Sequence, residues 1–453
     1  MIDSGGHRTD LEFPVFVPRP VYPSASEPSR MLAVYARVSL LPTVRNALRL
    51  GTEEPSGAFV RIRIFLAKSS KVFLKLYDTG NHMNRARATL IVFSFVSSAF
   101  FSSRASALPA KAVVYKVGVM HRQFAPPEPY DWRDAKTHAL VTDIWYPADP
   151  AANEQMQWIG SADAPFAKGA KAAPDAALVP GTEKFPLLLL SHGIGGSSAM
   201  MAWFGAALAS HGYIAAAVNH PGNNALEDYT IPGAVFWGQR AHDLSVLLDL
   251  LLADAAFGPR IDSKRVGAAG FSLGGLTVIE LAGGIAEFSR YQDFCKSPKA
   301  DGICKDTLEY PGLLANVTAL AKTDSAIQAG LAENSKSHRD PRIRAIFAMA
   351  PAVGPAFDPD SLVKISIPTQ IVAGAVDNVV PVESSAKFFA GKIPHAQLTI
   401  YQAVGHYTFL ATCAELGDRT KPQLCIDQAG ILRDEIHTQT ATMATNFFNA
   451  NLK

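Results

Sequence analysis

Between residues 266 and 281 the chain runs from an apolar stretch, Val266-Gly267-Ala268-Ala269, through Gly270-Phe271-Ser272-Leu273-Gly274-Gly275 into a helix-like stretch, Leu276-Thr277-Val278-Ile279-Glu280-Leu281. A strand that turns at once into a helix forces its corner residue into strained backbone angles and leaves no room for side chains beside it. Small residues around one serine meet that demand and thrust its hydroxyl into the open, as in a nucleophile elbow. Plain Gly-rich turns also produce G-x-S-x-G, so the reading depends on what stands around it.

The surroundings alternate in type. The continuous apolar run at 185–191 reads as a central strand covered on both faces and 213–218 as the next buried strand, with further strands at 344–349, 369–374 and 396–401. Helix-like segments stand between and after them at 202–210, 240–253 and 431–448. Such alternation predicts an α/β fold with a mostly parallel central sheet and helices on both faces. Residues 112–147 alternate polar and apolar and predict an antiparallel pair at a sheet edge. The stretch 148–183, rich in Ala, Pro, Gly and Lys, reads as a surface connection. Some fifty residues at 289–341, with a helical piece near 313–331, interrupt the pattern just past the elbow and are a candidate helical lid.

A serine hydroxyl is a poor nucleophile until a base takes its proton and an acid orients that base. His406, in Val404-Gly405-His406-Tyr407 after the last strand, is the candidate base. Asp377, in the apolar loop after the 369–374 strand, is the candidate acid, and the order Ser272, Asp377, His406 suits the elbow. The loop Ser191-His192-Gly193-Ile194-Gly195-Gly196 can aim backbone amides at a substrate carbonyl, so the N–H groups of Ile194 and Leu273 are the candidate oxyanion hole. His192 reads as a brace for this loop. Phe271, Trp203, Trp237 and Tyr407 are candidate pocket walls.

The 453 residues are 48% hydrophobic, enough for a large core. With 42 Lys and Arg against 40 Asp and Glu the net charge is only +2, and no basic cluster with interleaved aromatics suggests nucleic acid. Met83-Asn84-Arg85-Ala86-Arg87, the apolar run 88–101 and Ala105-Ser106-Ala107 have the three parts of a signal peptide at 83–107, giving a mature chain from Leu108 without a stable membrane span and an exported, periplasmic or secreted protein. Residues 1–82 then read as a non-native or disordered extension upstream of the true start, the rival being a small accessory domain. Four cysteines suit export: pairing Cys295 with Cys304 and Cys413 with Cys425 is the simplest of three connectivities. Zinc is the competing reading, but no Cys-x-x-Cys spacing supports it, and no metal is expected.

Gly270 to Gly275, the His192-Gly193-Ile194-Gly195-Gly196 loop, Asn219-His220-Pro221-Gly222-Asn223 and Gly405-His406-Tyr407 together resemble the α/β-hydrolase superfamily over roughly residues 112–450, which implies one hydrolase domain at 108–453. Within it the likeness is to the predicted dienelactone-hydrolase branch, similar to platelet-activating-factor acetylhydrolases. The resemblance implies a serine esterase acting on a small-molecule ester, without metal or organic cofactor. True dienelactone hydrolases use a cysteine nucleophile, whereas this chain has Ser272, so the branch name does not give the substrate. An amide-cleaving or acyl-transfer enzyme with the same triad, or an idle hydrolase fold that binds a ligand, are the alternatives.

Overall fold

Apolar runs without alternation can be satisfied only where both faces of a strand are covered, and that is where the chain puts them. The computed structural model describes residues 61–66, 72–77 and 113–453. The chain divides into two compact units, Met1–Ser103 and Arg104–Lys453. In the first, β1 (Arg61–Leu66) and β2 (Val72–Tyr77) pair antiparallel, with Arg61 opposite Tyr77. The segment read as an export signal, 83–107, lies outside the described residues, as does the rest of 1–82 beyond these two strands.

The second unit holds a ten-stranded sheet. Its strands are β3 (Lys116–Phe124), β4 (Leu140–Ala148), β5 (Gln155–Gly160), β6 (Pro165–Pro174), β7 (Phe185–Ser191) and β8 (Ile214–Val218), followed by β9 (Ile261–Phe271), β10 (Ile343–Met349), β11 (Thr369–Gly374) and β12 (Gln397–Tyr401). The order across the sheet is β12-β11-β10-β9-β7-β8-β4-β3-β6-β5, and the six strands from β12 to β8 are parallel. β3 and β4 pair antiparallel as the alternation predicts, Lys116 opposite Ala148. They are not the edge, however: β4 pairs with β8, and beyond β3 lie β6 and β5, in the stretch read as an irregular connection. Those two strands are built from Ala, Lys, Gln and Gly with few β-branched residues, so they carry almost none of the usual strand signal.

Successive side chains of the buried strands point to opposite faces, which divides the core in two. On one face Leu187, Leu189 and Ala268 meet Leu244, Leu247 and Leu276 of helices α2 (Trp237–Ala253) and α3 (Leu273–Ala282). On the other, Leu188, Leu190 and Ala269 meet Phe204 and Phe448 of α1 (Ala202–Ser210) and the C-terminal helix, Arg433–Asn451. The insertion predicted at 289–341 contains α4 (Phe288–Lys296), α5 (Leu313–Leu320) and α6 (Ser325–Glu333); the C-terminal helix is α7. Among the described residues no helix is long and apolar enough to cross a membrane.

Because the strands are parallel, β7, β9, β11 and β12 all end at the same edge, where open α/β sheets keep their ligand sites. Each end leads directly into one candidate segment: loop 192–196, Ser272, Asp377 and His406.

Candidate active site

Ser272 stands between the end of β9 and the start of α3 with φ +55° and ψ −115°, a left-handed conformation that a non-glycine residue adopts only under constraint. The constraint is visible on both sides: its N–H donates to the Met349 carbonyl at 2.9 Å, and its carbonyl accepts from Ala352 at 3.0 Å. A Cβ on Gly270 would stand 2.1 Å from the Gly274 carbonyl oxygen, and one on Gly274 1.9 Å from that of Ser191. The turn therefore closes only with glycine at both places.

His406 comes to the serine from the far end of the sequence. Its Nε2 lies 2.9 Å from Ser272 Oγ, and its Nδ1 lies 2.7 Å from Asp377 Oδ2. The second carboxylate oxygen of Asp377 accepts from the N–H groups of Val379 and Val380 at 3.0 and 2.7 Å. With the carboxylate fixed, Nδ1–H donates to it and Nε2 is left to accept the serine proton. All three side chains are buried.

The loop 192–196 lies beside the elbow. The Ile194 N–H makes no hydrogen bond among the described residues, and Leu273 opens α3, where the first amides of a helix lack partners within it. Both residues line the same cavity as Ser272. His192 braces the loop as its position suggests: Nε2 accepts from the His220 N–H at 3.2 Å, so Nδ1–H donates to the Gly193 carbonyl at 2.7 Å. Burial, then the Arg240 guanidinium, holds the His192 imidazole well below its usual range, and it stays neutral.

Beneath this loop lies a charged cluster that sequence reasoning missed. Arg240 of α2 is fully buried; it donates to Thr277 Oγ1 at 3.2 Å, to Asn223 Oδ1 at 3.1 Å, to Ser191 Oγ at 3.3 Å and to the His192 carbonyl. Asn223 Oδ1 in turn accepts from the Gly195 N–H at 3.3 Å, so one side chain ties both ends of the loop. Ser191, His220 and Asp243 form a second hydrogen-bonded series, 2.9 and 2.7 Å, wholly enclosed in the core. Arg133 closes on both oxygens of Asp243 at 2.8 and 3.0 Å. Burial pulls Arg240 down to about 9, which leaves it a cation at neutral pH. The same burial pushes Glu280, whose two oxygens have no partner among the described residues, well above the carboxylate range. A sequence signal existed: Arg240 falls on the apolar stripe of α2 with Leu244, Leu247 and Leu251.

The cavity above Ser272 measures about 870 Å³. Phe271, Trp237 and Tyr407 line it, and Phe271 packs on the His406 ring with centroids 4.9 Å apart. Trp203 does not. Its indole stacks on His437 of α7 at 3.9 Å and donates to the Phe409 carbonyl at 3.2 Å, because the face of α1 that carries it turns towards α7 rather than the cavity. The insertion supplies Tyr291, Ile303, Leu313 and Val317 as one wall. Its turn at Gly302 presses on the Asp377 loop: a Cβ there would meet the Asn378 carbonyl at 2.3 Å.

Cys295 is bonded to Cys304 and Cys413 to Cys425, the local pairing. Asp418 lies beside the second pair, but both sulfurs are bonded to each other, which leaves them unfit as metal ligands.

A family model described as platelet-activating factor acetylhydrolase, isoform II, matches residues 154–236, which include the 192–196 loop and end before Ser272. No curated protein matches the chain. Among solved structures, a ferulic acid esterase from Streptomyces cinnamoneus superposes with a TM-score of 0.50 at 19% identity, covering 76% of this chain and 92% of that one. This chain has the α/β-hydrolase fold. At the edge of the sheet where its parallel strands end, Ser272, His406 and Asp377 form one hydrogen-bonded series.

Proposed function

We propose that the chain is a serine hydrolase that cleaves carboxylic esters through an acyl-enzyme. One observation carries this reading: a buried elbow serine, hydrogen-bonded to His406 and through it to Asp377, that lines a cavity together with Ile194 and Leu273. His406 takes the Ser272 proton as Oγ attacks the ester carbonyl carbon. The oxyanion so formed is held by the N–H groups of Ile194 and Leu273. His406 then gives the proton to the departing alkoxide, and the acyl group stays on Oγ. Water, deprotonated by the same imidazole, attacks the acyl-enzyme, and collapse releases the acid and restores the serine. The esterase-type family match over residues 154–236 and the esterase fold neighbour support ester over other acyl substrates. The insertion acts as the lid over a small-molecule ester, and Phe271, Trp237 and Tyr407 shape its pocket.

The protein works outside the cytoplasm in this reading, exported by residues 83–107. Two disulfides in one unit are the feature that supports it.

A p-nitrophenyl ester series from acetate to palmitate tests the activity. Turnover should fall at least about 10³-fold in Ser272→Ala, and a fluorophosphonate probe should label the parent protein but not the variant. Retained turnover in a folded Ser272→Ala protein would refute the assignment.

A further inference from the structure

In the cavity wall, one acceptor has nothing to accept. Glu309, on the insertion between its first disulfide and α5, lines the cavity, and its Oε2 is shielded from solvent with no hydrogen-bond partner among the described residues. Its place is fixed by contact with the loop below: Glu309 Cβ is 3.1 Å from where a Cβ would stand on Gly195, next to Ile194. Two tyrosines flank it. Tyr229 donates its hydroxyl to the Gly195 carbonyl at 2.9 Å and so cannot also donate to Glu309. Tyr407, next to His406, faces the carboxylate; burial first, then the Glu309 charge and a hydrogen bond to that carboxylate, push its phenol up, while Oε2 itself keeps no partner among the described residues. Lys305 and Lys421 line the same cavity, yet neither reaches Oε2.

A shielded carboxylate oxygen left unpaired is costly, and such an atom in a ligand cavity is explained when the ligand brings the donor. We propose that Glu309 is a specificity-determining residue: a subsite that accepts a hydrogen bond from a hydroxyl or ammonium group on the ester substrate. The proposal rests on the esterase reading, since it places the donor group of the substrate within the cavity that holds Ser272. Most of the remaining wall is apolar, with Phe271, Trp237, Leu313 and Val317 among its members, so the carboxylate selects for a substrate with a largely apolar body and a donor group, rather than a plain alkyl ester.

Three methyl esters of equal length, methyl heptanoate, 6-hydroxyhexanoate and 6-aminohexanoate, present a methyl, a hydroxyl and an ammonium end to the same site. We expect the hydroxyl-to-methyl ratio of kcat/KM to fall about tenfold from the parent protein to Glu309→Leu, and the ammonium-to-methyl ratio to fall at least as far. Glu309→Gln keeps an acceptor but no charge, so it should preserve the hydroxyl ratio and lose the ammonium one. Sensitivity of one ratio alone assigns the donor class. Both ratios unchanged within about twofold would overturn the subsite. Calorimetric binding of the three esters to Ser272→Ala reads it without turnover: tighter binding of a donor ester, weakened by the added Glu309→Leu change, supports it, and equal or undetectable binding of all three overturns it. Failure of the fluorophosphonate label together with absent turnover would instead sink the esterase reading, which these binding measurements do not touch.

Discussion

At the residue scale the site depends on a side chain that touches no substrate. Arg240 fixes the His192 carbonyl and, through Asn223, the Gly195 amide, so it sets where the Ile194 N–H points. It is a positioning residue, and its loss should act on the step in which oxyanion charge develops. Arg240→Met should lower kcat on p-nitrophenyl butyrate by roughly tenfold to hundredfold with KM changed less than about threefold; Arg240→Lys, a single point donor, should recover only part of the loss. Affinity for a trifluoromethyl ketone, which mimics the tetrahedral adduct, should fall in step with kcat. Equal losses in kcat and thermal stability with no loss of ketone affinity would mean a merely structural role. The three candidate site residues, Ser272, Asp377 and His406, were legible because each sits where a chain pattern places it: a corner between strand and helix, and two loops after strands. Arg240 was not, because its function arises from where α2 lies against β7, and no local rule encodes that contact. Trp203 shows the converse, an aromatic near the loop in sequence whose helix face turns elsewhere.

At the element scale, α7 holds the turn that carries His406. His437 Nε2 bonds the Thr408 carbonyl at 2.9 Å, Trp203 stacks on its ring, and Arg433 reaches the carbonyls of Ala411 and Leu424 at 3.2 and 2.9 Å. Burial depresses His437 to about 4, against about 6.5 in an unfolded chain. Between those values the unfolded state binds the proton and the folded state does not, so stability falls as pH drops below about 6.5 and levels off below about 4. The full loss from this one group is about 3 kcal/mol. His437→Gln, which keeps a donor but does not titrate, should lose correspondingly less stability between pH 7 and 4.5 in urea unfolding. His192 and His220 add to the acid sensitivity of both proteins in the same direction. Identical pH profiles for the variant and its parent would remove His437 as a cause. The helices and buried strands that build this arrangement were readable to within a few residues because burial on one or both faces imposes a strong period. β5 and β6 were not, since half-exposed strands of Ala, Lys and Gly satisfy their backbone groups without a hydrophobic pattern.

For the whole molecule, the described part of the core comes from one stretch of chain. Among the described residues the buried members of the two core clusters run from Val117 to Leu452, and every side chain of the candidate site falls inside those limits. The described strands β1 and β2 belong to the other compact unit. A protein beginning at Leu108, the expected mature end, therefore carries the described hydrophobic core, both disulfides and the candidate site residues. It should melt within about 2 °C of the full chain, since the described core, whose burial supplies the transfer free energy, is retained. Its kcat/KM on p-nitrophenyl butyrate should agree within about twofold. A melting point several degrees lower, or a tenfold loss of turnover with the fold intact by circular dichroism, would show that the first hundred residues contribute to the hydrolase unit and would make the accessory-domain reading of residues 1–82 the better one.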